Sequence, residues 1–177
     1  MQKWELDSTK PDDYHAVEAQ CGREWIIRMT TGADVFLALQ QFAKDHNVRF
    51  AKIHAAFMGG LKPAKLLMWI PDKNDPGNWH WEAPAVFDNL SMVGAMGGVI
   101  HPRPGKDGKE EPFPAIHAVI GGAWNVPTVS GHLEKGSIVK GVVECFITEI
   151  LGIDVLAPSA DNRADEYPEN WYQEIKK

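Results

Sequence analysis

Thr30-Thr31-Gly32-Ala33-Asp34-Val35-Phe36-Leu37-Ala38-Leu39-Gln40-Gln41-Phe42-Ala43-Lys44-Asp45-His46-Asn47 carries the clearest helical spacing in this chain. Val35, Leu39, Phe42 and Ala43 recur on one face, and Gln40, Gln41, Lys44 and Asp45 fall on the other. The residues from Thr30 to Asp34 offer N-caps, and Asn47 is a plausible stop because asparagine tolerates the left-handed turn that ends a helix. A helix with one apolar face predicts a sheet for that face to lie on.

Working outward, the neighbouring segments read as strands. Tyr14–Gln20 alternates and Glu24–Met29 is apolar and β-rich, which predicts two strands joined at Cys21-Gly22-Arg23. Val48–Phe57, Trp79–Glu82, Leu90–Ile100 and Ala115–Ile120 also read as strands, and Ala64–Ile70 is a further apolar run. Residues 71–78 and 102–114 are dense in turn formers and read as exposed loops. Val139–Leu151 is apolar on both faces, with Val142, Phe146 and Ile150 set against Val143, Cys145 and Ile147, so both faces are expected to be covered. One helix among many strands predicts an α+β fold with a mostly antiparallel sheet. The expected organisation is a flexible N-terminal arm over residues 1–13, one domain over 14–157 and a polar tail over 158–177.

Composition bounds the function. The 177 residues are 44% hydrophobic and 24% charged, close to the globular average. A chain of this length buries about two-thirds of its unfolded surface and needs neither disulfide nor metal to hold a core. Eighteen basic residues against 24 acidic ones give a net charge of −6. That balance predicts weak or absent direct DNA binding, because an autonomous binder needs a basic surface. The two cysteines, Cys21 and Cys145, do not make a disulfide framework. The opening residues lack an apolar leader and no stretch is long enough to span a bilayer, so a cytoplasmic protein without a membrane partner is expected.

The chain lacks a Walker loop, a Gly-x-Gly-x-x-Gly turn and a Gly-x-Ser-x-Gly elbow. Histidines are the candidates for chemistry, because a neutral imidazole binds zinc and similar metals through one nitrogen. His117 and His132 are flanked by small residues, Ala115 and Ala118, Ser130 and Gly131, which leave room beside each ring. They are expected to face each other across a shared cleft, as ligand-binding and metal candidates with zinc as the possible metal. His54, His101, Glu82 or Glu144 would complete such a site. The bland alternative is a pair of histidines hydrogen-bonded in a half-polar core or at a subunit seam. Glu82 lies beside Trp79 and Trp81 and is either an acid–base candidate or a solvent-facing carboxylate. His101-Pro102-Arg103-Pro104-Gly105-Lys106 superficially resembles an AT-hook core. The residue order is wrong and Asp107, Glu110 and Glu111 follow, so it reads as a surface loop.

The order of these features resembles the plant-and-prokaryote conserved (PPC) domain over roughly residues 23–155. Gly32-Ala33-Asp34 before the helix and Phe42-Ala43-Lys44-Asp45-His46-Asn47 at its end are similar to that family's helix. Phe57-Met58-Gly59-Gly60-Leu61-Lys62-Pro63-Ala64 is similar to its glycine turn, and Gly94 with Gly97-Gly98 to its central strand. Ile116-His117 and Ser130-Gly131-His132-Leu133 resemble its His-x-His and Gly-Gly-His-Leu motifs. Ala115 replaces the first histidine and Ser130 the first glycine, so two of three family histidines remain. Glu82 matches an acidic residue ahead of the family's central strands. The resemblance implies a homotrimer. It also implies a stand-alone member of a group described as DNA-binding candidates, acting mainly through protein contacts, with a DNA-binding protein as the expected partner. The alternative is a metal- or small-ligand-binding protein or enzyme with a histidine-lined cleft at or near the subunit seam.

Overall fold

The computed structural model describes residues 16–89, 91–122, 128–155 and 172–175. The expected arm over 1–13, most of the expected tail over 158–177, and Tyr14, Trp124 and Trp171 lie outside the described residues.

The helix forms where its spacing predicts it. α1 spans Val35–Asp45, and Asp34 is its N-cap in extended conformation (φ −79°, ψ 119°). One Asp34 carboxylate oxygen accepts the Leu37 N–H at 3.1 Å and the other accepts the Gly136 N–H at 2.7 Å. The cap therefore satisfies an orphan helix donor and also ties the helix start to a distant turn. Asn47 ends the helix at φ 51°.

The strands are β1 (Gln20–Thr30), β2 (Ala51–Leu61), β3 (Ala64–Leu67), β4 (Trp69–Pro71), β5 (Trp79–Trp81), β6 (Ala85–Phe87), β7 (Ser91–Pro104), β8 (Glu110–Gly122), β9 (Val129–Leu133), β10 (Val139–Leu151), β11 (Ile153–Val155) and β12 (Tyr172–Glu174). Eight of them form one sheet in the order β1-β10-β2-β7-β8-β9-β3-β6, with each adjacent pair antiparallel. β4 and β5 make a separate two-stranded ribbon, as do β11 and β12. The expected α+β fold, a mostly antiparallel sheet with one main helix packed on it, is the fold observed.

Two expectations need correction. The expected strands over 14–20 and 24–29 joined at 21–23 are replaced by the single strand β1: residues 16–19 are not strand, and residues 21–23 lie within β1, where Gly22 sits in a bulge between Cys21 and Glu24. Residues 102–114 are mostly strand, because β7 runs to Pro104 and β8 starts at Glu110, leaving a turn over 105–109. Pro102 lies opposite Pro112 in this ribbon. β2 pairs with β7 only as far as Ile100, and β9 pairs with β8 only from His117 onward. The outer ribbon is thus an edge on both sides, where a strand tolerates the missing proline N–H.

One sheet face meets the helix. Val35, Leu39 and Ala43 of α1 are buried with Ile53, Ile100, Ile116, Ile120, Leu133, Val143, Cys145 and Ile147. Trp25 of β1 packs edge-on to Phe42 with ring centroids 5.2 Å apart. The alternating side chains point away from the helix: Ile26 is 66% exposed and Phe146, its cross-strand neighbour, 43%. Among the described residues, β10 therefore presents one covered face and one exposed face at this point.

Candidate functional site

β8 alternates buried Ile116, Ala118 and Ile120 with residues on the opposite sheet face, and His117 is one of these. The β8–β9 register sets His117 directly across from His132 and Val119 across from Ser130. The imidazole centroids lie 5.5 Å apart with the rings nearly perpendicular, at 83°. Gly131 between them is required by packing: a Cβ there would stand 2.6 Å from the Leu67 carbonyl oxygen.

Around this pair lies a cleft of about 700 Å³, a size that suits small ligands. Ala95, Gly97, Val119 and Ser130 contribute to its lining, and Trp69 and Trp81 of the β4–β5 ribbon join them. The two indoles meet at 5.0 Å and 61°, and Trp81 stands 5.9 Å from the His132 ring. Behind His132 the rings continue inward. Phe113 stacks near it at 6.3 Å, His101 lies 5.4 Å from Phe113, and the Arg103 guanidinium carbon sits 3.8 Å over the Phe113 ring.

Burial sets the electrostatics. His132 is pushed down to about 4, chiefly by desolvation and then by the charges of His117, Arg103 and His101. His101 is pushed down to about 4 by burial, with Arg103 adding to the effect and its contact with the Pro102 carbonyl opposing it. The His132 imidazole is therefore neutral at pH 7, with one nitrogen as donor and one as acceptor. Glu134 is held above the usual carboxylate range by burial, against the pull of Arg103; its oxygen lies 3.9 Å from His132 Nε2.

The other candidates lie elsewhere. Exposed His54 contacts the Thr148 hydroxyl at 3.1 Å. Glu82 is exposed and bonds His80 at 3.1 Å, outside the cleft lining. Glu144 is bound by Arg28. His101 is buried and reaches His132 through Phe113. Among the described residues no group of three histidines, cysteines or carboxylates could hold a metal. Two imidazoles supply half of a tetrahedral zinc shell, so the described donor set of one chain does not fit that metal.

Arg103 and Phe113 were hidden by the loop reading of 102–114. Trp69 and Trp81 carried a usable signal: they lie symmetrically about a turn-rich stretch, as the partners of a hairpin do.

Comparison with solved structures finds the same fold. A plant- and prokaryote-conserved protein from Pyrococcus horikoshii is 18% identical, with a TM-score of 0.62 over 93% of this chain and 99% of that one. A metal-containing protein from Archaeoglobus fulgidus is also 18% identical, with a TM-score of 0.62 over 92% of this chain and 100% of that one. A protein from Bacteroides thetaiotaomicron named as a candidate for DNA binding is 17% identical, with a TM-score of 0.57 over 78% of this chain and 89% of that one. A search of curated proteins finds no match. Residues 16–151 match the family described as the Plants and Prokaryotes Conserved (PCC) domain, and the chain belongs to that family.

Proposed function

We propose that the protein is a homotrimeric regulatory module whose link to DNA runs through protein contacts. The observation that carries this reading is the uncovered sheet face, where Ile26 and Phe146 stand side by side in water. Burying a fully exposed side chain of this kind is worth about 1.5–3 kcal/mol, so covering what remains exposed here is worth about 1 kcal/mol or more each, and a second copy is an economical cover. Direct grip on DNA is disfavoured because Arg23, Arg28 and Arg49 are each tied to carboxylates. The test is light scattering. The wild type should weigh about three times the 19.7 kDa chain, and Phe146→Asp should fall towards one chain. A wild type at one chain mass at micromolar concentration overturns the proposal. So does sub-micromolar binding of the isolated protein to a defined duplex at physiological salt.

A second reading is favoured by the His117–His132 pair at the wall of a cleft: the protein also binds a small ligand there.

A further inference from the structure

This inference rests on the ligand-binding reading of the cleft and concerns what the cleft takes. Its lining contains no lysine, arginine, aspartate or glutamate among the described residues; the polar side chains are His117, His132 and Ser130. A charged ligand would leave water without a fixed countercharge at the lining, which is costly. Arg103 and Glu134, outside the lining, carry opposite formal charges; Arg103 acts on both His132 and Glu134, and Glu134 stands 3.9 Å from His132 Nε2. The rest of the surface is apolar, with a corner formed by the Trp69 and Trp81 indoles. Trp81 remains 36% exposed, so part of its ring is open to a partner. Floor positions Ala95, Gly97 and Ser130 are small, and a Cβ at Gly97 would come no nearer than 3.5 Å to another atom, so the floor is low and flat.

We propose that this cleft binds an uncharged, planar aromatic ring system carrying one hydroxyl or ring nitrogen. The ring lies against Trp81 and Trp69, and the polar atom hydrogen-bonds at His117 and His132. Aromatic faces and edges gain more on indole than a saturated ring of equal size does. A neutral imidazole serves either a donor or an acceptor on the ligand.

The test is calorimetry on the full chain with 2-naphthol, its saturated counterpart decahydro-2-naphthol, 2-naphthoate and zinc chloride. 2-Naphthol should bind, with the saturated alcohol and the acid each about tenfold weaker or worse. Trp81→Leu and His117→Gln, both at exposed positions, should each weaken 2-naphthol by about tenfold with an unchanged melting temperature. Equal affinity for the saturated alcohol, or 2-naphthol binding untouched by both variants, overturns the proposal. Zinc uptake lost in His117→Gln, without any aromatic binding, overturns it while leaving a ligand-binding cleft in place. Binding of none of the four ends both readings.

Discussion

Taking the pH from about 7.5 to about 5 should weaken folding, and the buried imidazoles set the size of the loss. His101 is fully buried and the His132 side chain is 13% exposed; both have folded pKa values of about 4. In the unfolded chain each returns to about 6.5. A depressed histidine makes the unfolded state the better proton binder between those values. Stability is therefore intact above about pH 6.5, drains as the pH falls towards 4, and loses nothing more below that from this source. At pH 5 the linkage amounts to about 2 kcal/mol for each ring. The two are not independent, because the His101 charge is among the causes that depress His132, so the pair together should cost about 2–4 kcal/mol. That is a large share of the roughly 5–15 kcal/mol that holds a domain folded. Glu134 works in the opposite sense, since its raised pKa favours folding as it protonates, and it offsets part of the loss. Glu149 and Asp72, both lowered, lose their contribution at more acidic pH, outside this window. The assay is urea unfolding at the two pH values and one protein concentration, with His132→Gln measured in parallel. The variant should show a smaller acid loss than the wild type. Wild-type free energies that agree within about 0.5 kcal/mol at the two pH values would refute the argument.

Asp34→Ala removes both the helix cap and the tie to Gly136, and should cost about 1–2 kcal/mol by urea unfolding; an unchanged midpoint would contradict the capping argument. Gly98→Ala should destabilise by about 3 kcal/mol or more, because its Cβ would stand 2.0 Å from the Ala115 carbonyl oxygen. Gly97→Ala, one residue earlier and with its nearest neighbour at 3.5 Å, should melt close to wild type; equal melting temperatures for the two variants would sink the steric reasoning. Native protein should be alkylated at exposed Cys21 and not at Cys145, whose thiol burial pushes up to about 12; mass spectrometry showing both labelled at similar rates without denaturant would contradict this.

The legible parts of the fold were those specified by neighbours in sequence. Val35, Leu39 and Ala43 mark the buried stripe of α1 through their spacing alone, and Asp34 announces its start. Val143, Cys145 and Ile147 mark the buried face of β10 in the same way. The outer β7–β8 ribbon was not legible, because Pro102, Pro104, Pro112 and Pro114 have the composition of a loop. Only the pairing pattern reveals that these strands lack partners on their outer sides. The site divides similarly. His117 and His132 could be singled out by type and by small neighbours. Their meeting depends on a cross-strand register that one-dimensional spacing does not fix. Phe113, Arg103 and His101 join the His132 surroundings through contacts between strands, for which composition holds no sign.

The cleft is built from two pieces with different mechanical standing. His117 and His132 sit on inner strands of the eight-stranded sheet, where release requires breaking pairings on both sides. Trp69 and Trp81 sit on a ribbon of three residues per strand whose two strands, among the described residues, pair with each other and not with the main sheet. Such a ribbon opens at a free energy far below that of the whole domain. For the ligand proposed above, release would then follow the fraying of three residue pairs that carry Trp69 and Trp81, while the histidines that meet its polar atom stay fixed on the sheet. Amide protons of Trp69 and Trp81 should exchange with solvent well before those of His117 and Val119. A change confined to the ribbon would alter dwell time without disturbing the core beneath.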